Sequence, residues 1–179
     1  MVKKLSIFLG YFVFFLFVLA LFIPKSSVYF LLEQELAKNK IIISNEQVVD
    51  KLFTLKLQDA QVSYDGLEAA RVKEIDFRLL GLYNSINLND IELSSLVSSF
   101  VPSHIKNIHL RYSLLSPLSL HGKASGDFGD VEFEVSVQNM AVQMHMKASE
   151  LMKKEYKNTL RELKKEENGE YSYANTFQF

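Results

Sequence analysis

The side chains in this sequence best suited to proton transfer or metal binding are four histidines, His104, His109, His121 and His145. They stand on different expected strands or loops and at no metal-ligand spacing, so each reads as an ordinary hydrogen-bonded or solvent-facing imidazole. Ser103-His104-Ile105-Lys106 has the spacing of a serine/lysine nucleophile pair. That pairing needs a helix to bring the two side chains together, whereas here the motif follows Pro102 and enters an extended segment. Asp59, Glu74, Asp90 and Asn107 recur at intervals of about 15 to 17 residues, and groups so spaced serve more simply as bends in the chain than as general acids. There is no glycine-rich phosphate loop, nucleophile elbow or His-Glu-x-x-His, and the absence of cysteine removes disulfides, thiolate metal sites and thiol catalysis together. The sequence therefore nominates no catalytic, cofactor-binding or metal-binding residue, and the expectation is a protein that is not an enzyme.

These residues lie on segments that alternate. From about residue 41 to about residue 138 the text runs in short apolar/polar alternations rich in β-branched and aromatic residues, which predicts antiparallel sheet. A weak repeat runs through it: Leu55-x-Leu57-x-Asp59-Ala60-x-Val62, Ala70-x-Val72-x-Glu74-Ile75-x-Phe77, Ile86-x-Leu88-x-Asp90-Ile91-x-Leu93, and a degenerate Ile105-x-Asn107-Ile108-x-Leu110. At each pivot the parity of the apolar positions slips by one. Keeping both halves on one buried face requires a bulge or tight bend there, so a strongly twisted or curled sheet is expected.

After Ser116-Pro117 comes a hairpin, with one strand from Leu118, a turn over residues 125–130, and Val131, Phe133, Val135 and Val137 alternating on the return. Residues 141–147, with Val142, Met144 and Met146 on one face, add a further strand. If the apolar face of these strands is left open, Val131, Phe133, Val135 and Val137 are lipid-facing candidates; if it is covered, they are core.

Helices flank the sheet. Residues 5–23 carry no charge, and about 19 residues at ~1.5 Å each cover roughly 28 Å, the thickness of a bilayer's hydrocarbon. A spanning helix is expected rather than a cleaved signal peptide, because Ala20-Leu21-Phe22 puts Phe where cleavage needs a small residue. Lys3 and Lys4 before the span against Lys25 after it favour a cytoplasmic N-terminus and an extracytoplasmic body. The division expected is 1–24 anchor, 25–40 amphipathic helix, 41–147 curled sheet domain, and 148–179 C-terminal amphipathic helix with an aromatic tail strand. In the first amphipathic helix Val28, Leu31, Leu32 and Leu36 form the apolar side, which either lies on the membrane or closes one end of the sheet. In the second, capped by Ser149, Leu151, Met152, Tyr156, Leu160 and Leu163 line one side and acidic residues nearly balance the lysines, which favours packing on the chain's own sheet. Tyr171, Tyr173, Phe177 and Phe179 mark a tail that docks on a sheet edge or on a partner. The net charge of -1 supplies no field for nucleic acid, which is not an expected partner.

This order of parts resembles protein N of the bacterial type II (general) secretion pathway and, more broadly, the AsmA-like envelope proteins. The resemblance is carried by an anchor ending at Pro24, a short amphipathic helix, strands of the Leu55-Lys-Leu-Gln-Asp-Ala-Gln-Val type and the Leu120-His-Gly-Lys-Ala-Ser-Gly-Asp-Phe-Gly hairpin, over about residues 5–147. It implies a sheet curled into an open trough and a single-pass location in the bacterial inner membrane with the body in the periplasm. It also implies an accessory or assembly role beside an envelope or secretion-machine protein, the alternative being a lipid-binding or lipid-transfer module that takes acyl chains. The chain departs from the long members of that group in being short and in ending with a charged helix and aromatic tail.

Overall fold

The computed structural model describes residues 2–22, 25–51, 54–79 and 83–176. Two helices, α1 (Val2–Phe22) and α2 (Lys25–Lys38), precede nine strands: β1 (Ile41–Ser44), β2 (Gln47–Asp50), β3 (Thr54–Tyr64), β4 (Leu67–Leu79), β5 (Tyr83–Leu93), β6 (His104–Ser113), β7 (Ser116–Gly126), β8 (Gly129–Ser136) and β9 (Ala141–Ala148). Two short helices, α3 (Glu150–Glu155) and α4 (Lys157–Arg161), then lead to β10 (Lys164–Lys165) and β11 (Tyr171–Thr176). All the strands belong to one antiparallel sheet of 11 strands. From β3 to β9 each strand pairs with the next in sequence; β1 and β2 share the outer side of β3, and β11 inserts between β9 and β10. Its first and last strands do not meet, so the sheet is open.

The alternation read from the sequence sets the two faces. Every strand from β2 to β9 contributes to a row of apolar residues that pair in register: Val48, Leu57, Ile75, Leu88, Ile108, Ala124, Val131 and Met146, and Tyr171 of β11 extends it. From β3 onward the opposite face is polar, running Lys56, Asp76, Asn87, His109, Lys123, Glu132, His145 and Ser172. Lys56 sits 3.0 Å from Asp76 and 3.2 Å from Glu74, and hydrogen bonds to Asp76 and then Glu74 hold its ammonium charged above the usual range.

The parity slips are built as one crease, at Asp59 and Asp90 as expected but at Lys73 and Lys106 instead of Glu74 and Asn107, which stay paired in register. The registers of β3 with β4, β4 with β5 and β5 with β6 each skip the level where Asp59, Lys73, Asp90 and Lys106 stand, and resume unshifted beyond it. Asp59 and Asp90 achieve the flip with positive φ, 56° and 50°, a conformation that Asp tolerates better than most residues. Neighbouring strands flip at the same level, so the apolar residues on both sides of it, Leu57 and Ala60, Ile75 and Val72, stay on one face. Strand β7 carries no such step, and the register of β6 with β7 shifts between Ile105 and Asn107, leaving Lys106 as a true bulge.

Helix α2 closes one end of the apolar face. Tyr29, 1 % exposed, is buried with Leu55, Leu57, Ile75, Phe77 and Ile91, and Leu32 and Leu36 pack beside it. This corrects the expected apolar side: Val28 and Leu31 point outward, because the sheet accepts the Tyr29, Leu32, Leu36 line, whose phenol donates a 2.8 Å hydrogen bond to Glu46. The single C-terminal helix expected from Ser149 onward is also corrected. It breaks at Tyr156 (φ -113°, ψ 39°), which lets Met152 from one piece and Leu160 from the other reach the same cluster with Phe128, Met146 and Ala148, and Thr159 donates to the Phe100 carbonyl at 2.6 Å. Ser149 caps α3 as expected, accepting from Met152 N at 3.1 Å. The hairpin turn shrinks to Asp127-Phe128 between β7 and β8, made tight by Gly129 at φ +111°.

Helix α1 is helical throughout the described residues, and its side chains at 6–15 are exposed. Among the described residues no helix is long and apolar enough to cross a membrane. The far end of the expected span, at Ile23 and Pro24, lies outside them, as do most of the side chains beyond Phe15.

Candidate functional site

Two hydrophobic clusters occupy the apolar face, one beneath α2 and the other beneath α3 and α4, with partly buried Ile105 touching both. Between and below them lies a band that belongs to neither. Leu110, Gly122, Phe133 and Met144 pair across β6 to β9 in one row, and Tyr112, Leu120, Val135 and Val142 pair across the same strands in the next. Apart from Gly122 every one of these residues is partly exposed, and none joins either cluster. Three inter-strand spacings give the band a width of ~14 Å. Its floor is flat at Gly122, where the Phe133 ring lies across the glycine so closely that a Cβ would overlap it.

The band gathers only part of the expected lipid-facing set. Phe133 and Val135 lie in it; Val131 packs against the Phe128–Met152 cluster; Val137, 46 % exposed, sits just past the end of β8 beside Leu118, to whose carbonyl its N–H donates. Leu110, Tyr112, Leu120, Val142 and Met144 complete the band and were not among the lipid-facing candidates expected from sequence. Their signal is present, since each falls on the apolar parity of its strand, but only the pairing register shows that they adjoin.

Of the aromatic tail, Tyr171 joins the cluster under α3 and α4 and Tyr173 is exposed on β11, which pairs with β9 through all six of its residues. Phe177 and Phe179 lie outside the described residues. The described part of the tail, residues 171–176, therefore docks on the chain's own sheet.

The polar face brings together what the sequence left apart. His109, His121 and His145 line one open hollow of about 330 Å³ with Arg111, Lys123, Glu132, Glu134 and Gln143. Lys123 bonds Glu132, holding that carboxyl below its usual range; His109 meets the Asn87 side chain, and His121 lies 3.7 Å from Glu134. The hollow gathers five basic side chains and two carboxylates, and its lining includes no hydroxyl or thiol nucleophile. Among the described residues no three His, Asp or Glu groups are placed to hold a metal ion. A second hollow, about 580 Å³, follows the crease, where Asp59, Lys73 and Asp90 meet Arg71, Glu92 and His104. Ser103 precedes β6 and its carbonyl accepts from Leu93 N, while Lys106 is the exposed bulge residue, so extended chain separates the pair that a helix would have joined.

No protein-family model matches this chain, and neither a curated protein nor a solved structure shows significant similarity to it.

Proposed function

We propose that this chain is a membrane-anchored lipid-handling module in which α1 crosses the bilayer, the N-terminus is cytoplasmic, and the apolar band over β6 to β9 takes the acyl chain of a lipid. The reading includes a periplasmic position for the sheet and no catalytic step. The observation that carries it is the band itself: two adjoining rows of apolar residues in register that, among the described residues, belong to neither of the clusters packed under the helices. Exposed apolar surface of this continuity is an interaction site in most proteins, and one lined by Leu, Val, Phe and Met with a single Tyr hydroxyl suits a hydrocarbon better than a polar ligand. For α1 the support is the uncharged sequence of residues 5–23 and the exposure of Ile7, Phe8, Phe12 and Phe15.

The test is native mass spectrometry of the full-length protein extracted gently from its membranes. The unmodified chain is expected to carry phospholipid that persists after the anchor is cut near Pro24, and Phe133→Glu is expected to lose it while the far-UV circular dichroism of the sheet is retained. Val137→Asp, at the exposed rim, serves as a variant less exposed to folding defects and is expected to weaken lipid retention in the same direction. Lipid retained in full by both variants would end this reading.

A second reading, an accessory or assembly module for an envelope or secretion machine, is favoured by one observation. Strand β10 covers only Tyr171 and Ser172 of β11, so residues 173–176 form a sheet edge open to an added strand among the described residues. A co-purifying protein in the same spectra, lost on Ala174→Pro and accompanied by no sheet-bound lipid, would decide for it.

A further inference from the structure

We infer that the outward stripe of α2 is a contact with the membrane interface, so that this helix holds the sheet against the bilayer surface; the inference rests on the reading of α1 as an anchor. Tyr29, Leu32 and Leu36 are committed to the sheet, which fixes the rotation of the helix. That rotation leaves Val28, Phe30 and Leu31 outside, with Phe30 52 % and Leu31 66 % exposed.

The distribution along the helix identifies the occupant. Large apolar side chains face outward only in the first two turns; in the last two the exposed positions are Gln34, Glu35, Ala37 and Lys38, with Lys38 and Glu35 paired at 2.6 Å. A groove for a soluble helix would be expected to be apolar along its whole length. Here the large exposed apolar side chains are confined to the end nearest α1, and the charged ones stand at the far end. Chain geometry keeps them close: three residue steps from Phe22 to Lys25 span at most roughly 10 Å, and five more along the helix add about 7.5 Å. Phe30 therefore stays within about 18 Å of the end of α1. A helix with one face on its own protein and the other at the headgroup layer buries both of its apolar stripes.

The sequence contains no tryptophan, so single substitutions make clean reporters. Phe30→Trp, Phe12→Trp on α1 and Leu115→Trp, at an 86 % exposed position in the β6–β7 turn, would each be made in the full-length chain and reconstituted in phosphatidylcholine/phosphatidylglycerol vesicles. The vesicles would carry bromine on the acyl chains, either near the headgroup or deep. Phe30→Trp is expected to lose at least half its emission to shallow bromine, Phe12→Trp to lose more to deep bromine, and Leu115→Trp to be unaffected by either. Quenching at position 12 without quenching at position 30 overturns the α2 contact and leaves the anchor standing. Quenching at neither position removes the anchor reading and this inference together.

Discussion

Tyr29 ties together an entering helix, a strand edge and the core. Its ring packs 5.8 Å from Phe77 and its hydroxyl donates to Glu46, which lies between β1 and β2. Burial, then the hydrogen bond to Glu46 and the charge of that carboxylate, push its ionisation well above the usual tyrosine range. Tyr29→Phe should cost about 1–2 kcal/mol at neutral pH, read from the denaturant midpoint, because a carboxylate loses its donor. The pH dependence has a definite sign. An unfolded tyrosine ionises near pH 10 while the folded one keeps its proton, so the stabilisation is present below about pH 10 and is lost as pH rises past it. Tyr29→Phe should thus lose less stability than the unmodified chain between about pH 9 and 11. Gly122 is the other position where one side chain decides local packing. Gly122→Ala should cost about 1–3 kcal/mol in thermal or denaturant unfolding by lifting the Phe133 ring, and should disturb the floor of the band more than its polar surroundings. Neither contact was legible beforehand: Tyr29 was not on the apolar side drawn for its helix, and Gly122 and Phe133 meet only through cross-strand register.

The crease is an element-scale property, spread over four strands and carried by two aspartates with positive φ. Asp90→Gly should be neutral to within about 1 kcal/mol, since glycine adopts this conformation freely. Asp90→Val should cost about 2 kcal/mol or more in equilibrium unfolding, because a β-branched residue resists it and interrupts the flip in every paired strand. This device was legible in the sequence: the slip in apolar parity at Asp59 and Asp90 is a one-dimensional signal, and a strand that keeps one face buried has few ways to satisfy it. The C-terminal helices were less legible. The apolar positions Met152, Tyr156, Leu160 and Leu163 suit a continuous helix, and the break at Tyr156 comes from the Phe128–Met146 surface and the Thr159 bond to Phe100, both distant in sequence.

At the scale of the whole molecule, stability comes from two clusters on the same face rather than one core, with Ile105 between them. Leu57→Ala and Met152→Ala should each cost about 2–5 kcal/mol. In the double variant the costs should add to within about 0.5 kcal/mol, since Leu57 and Met152 belong to different clusters and Ile105 is the contact the clusters share. Denaturant unfolding of the four chains in the cycle checks this, and a coupling larger than about 1 kcal/mol would mean that the face unfolds as one packed unit. The open band follows from the same division, because helices at two places on a broad sheet leave the remainder uncovered. By itself the sequence determined which residues share a face, where the sheet is creased and where helices begin, because backbone alternation, residue-specific φ tolerance and capping act over a few neighbouring positions. Only the tertiary structure decided which half of α2 faces outward, where the last helix breaks, that β11 is used within the chain's own sheet, and which apolar residues are left without cover. Those outcomes depend on pairing register and on the shapes of surfaces built from strands far apart in the chain.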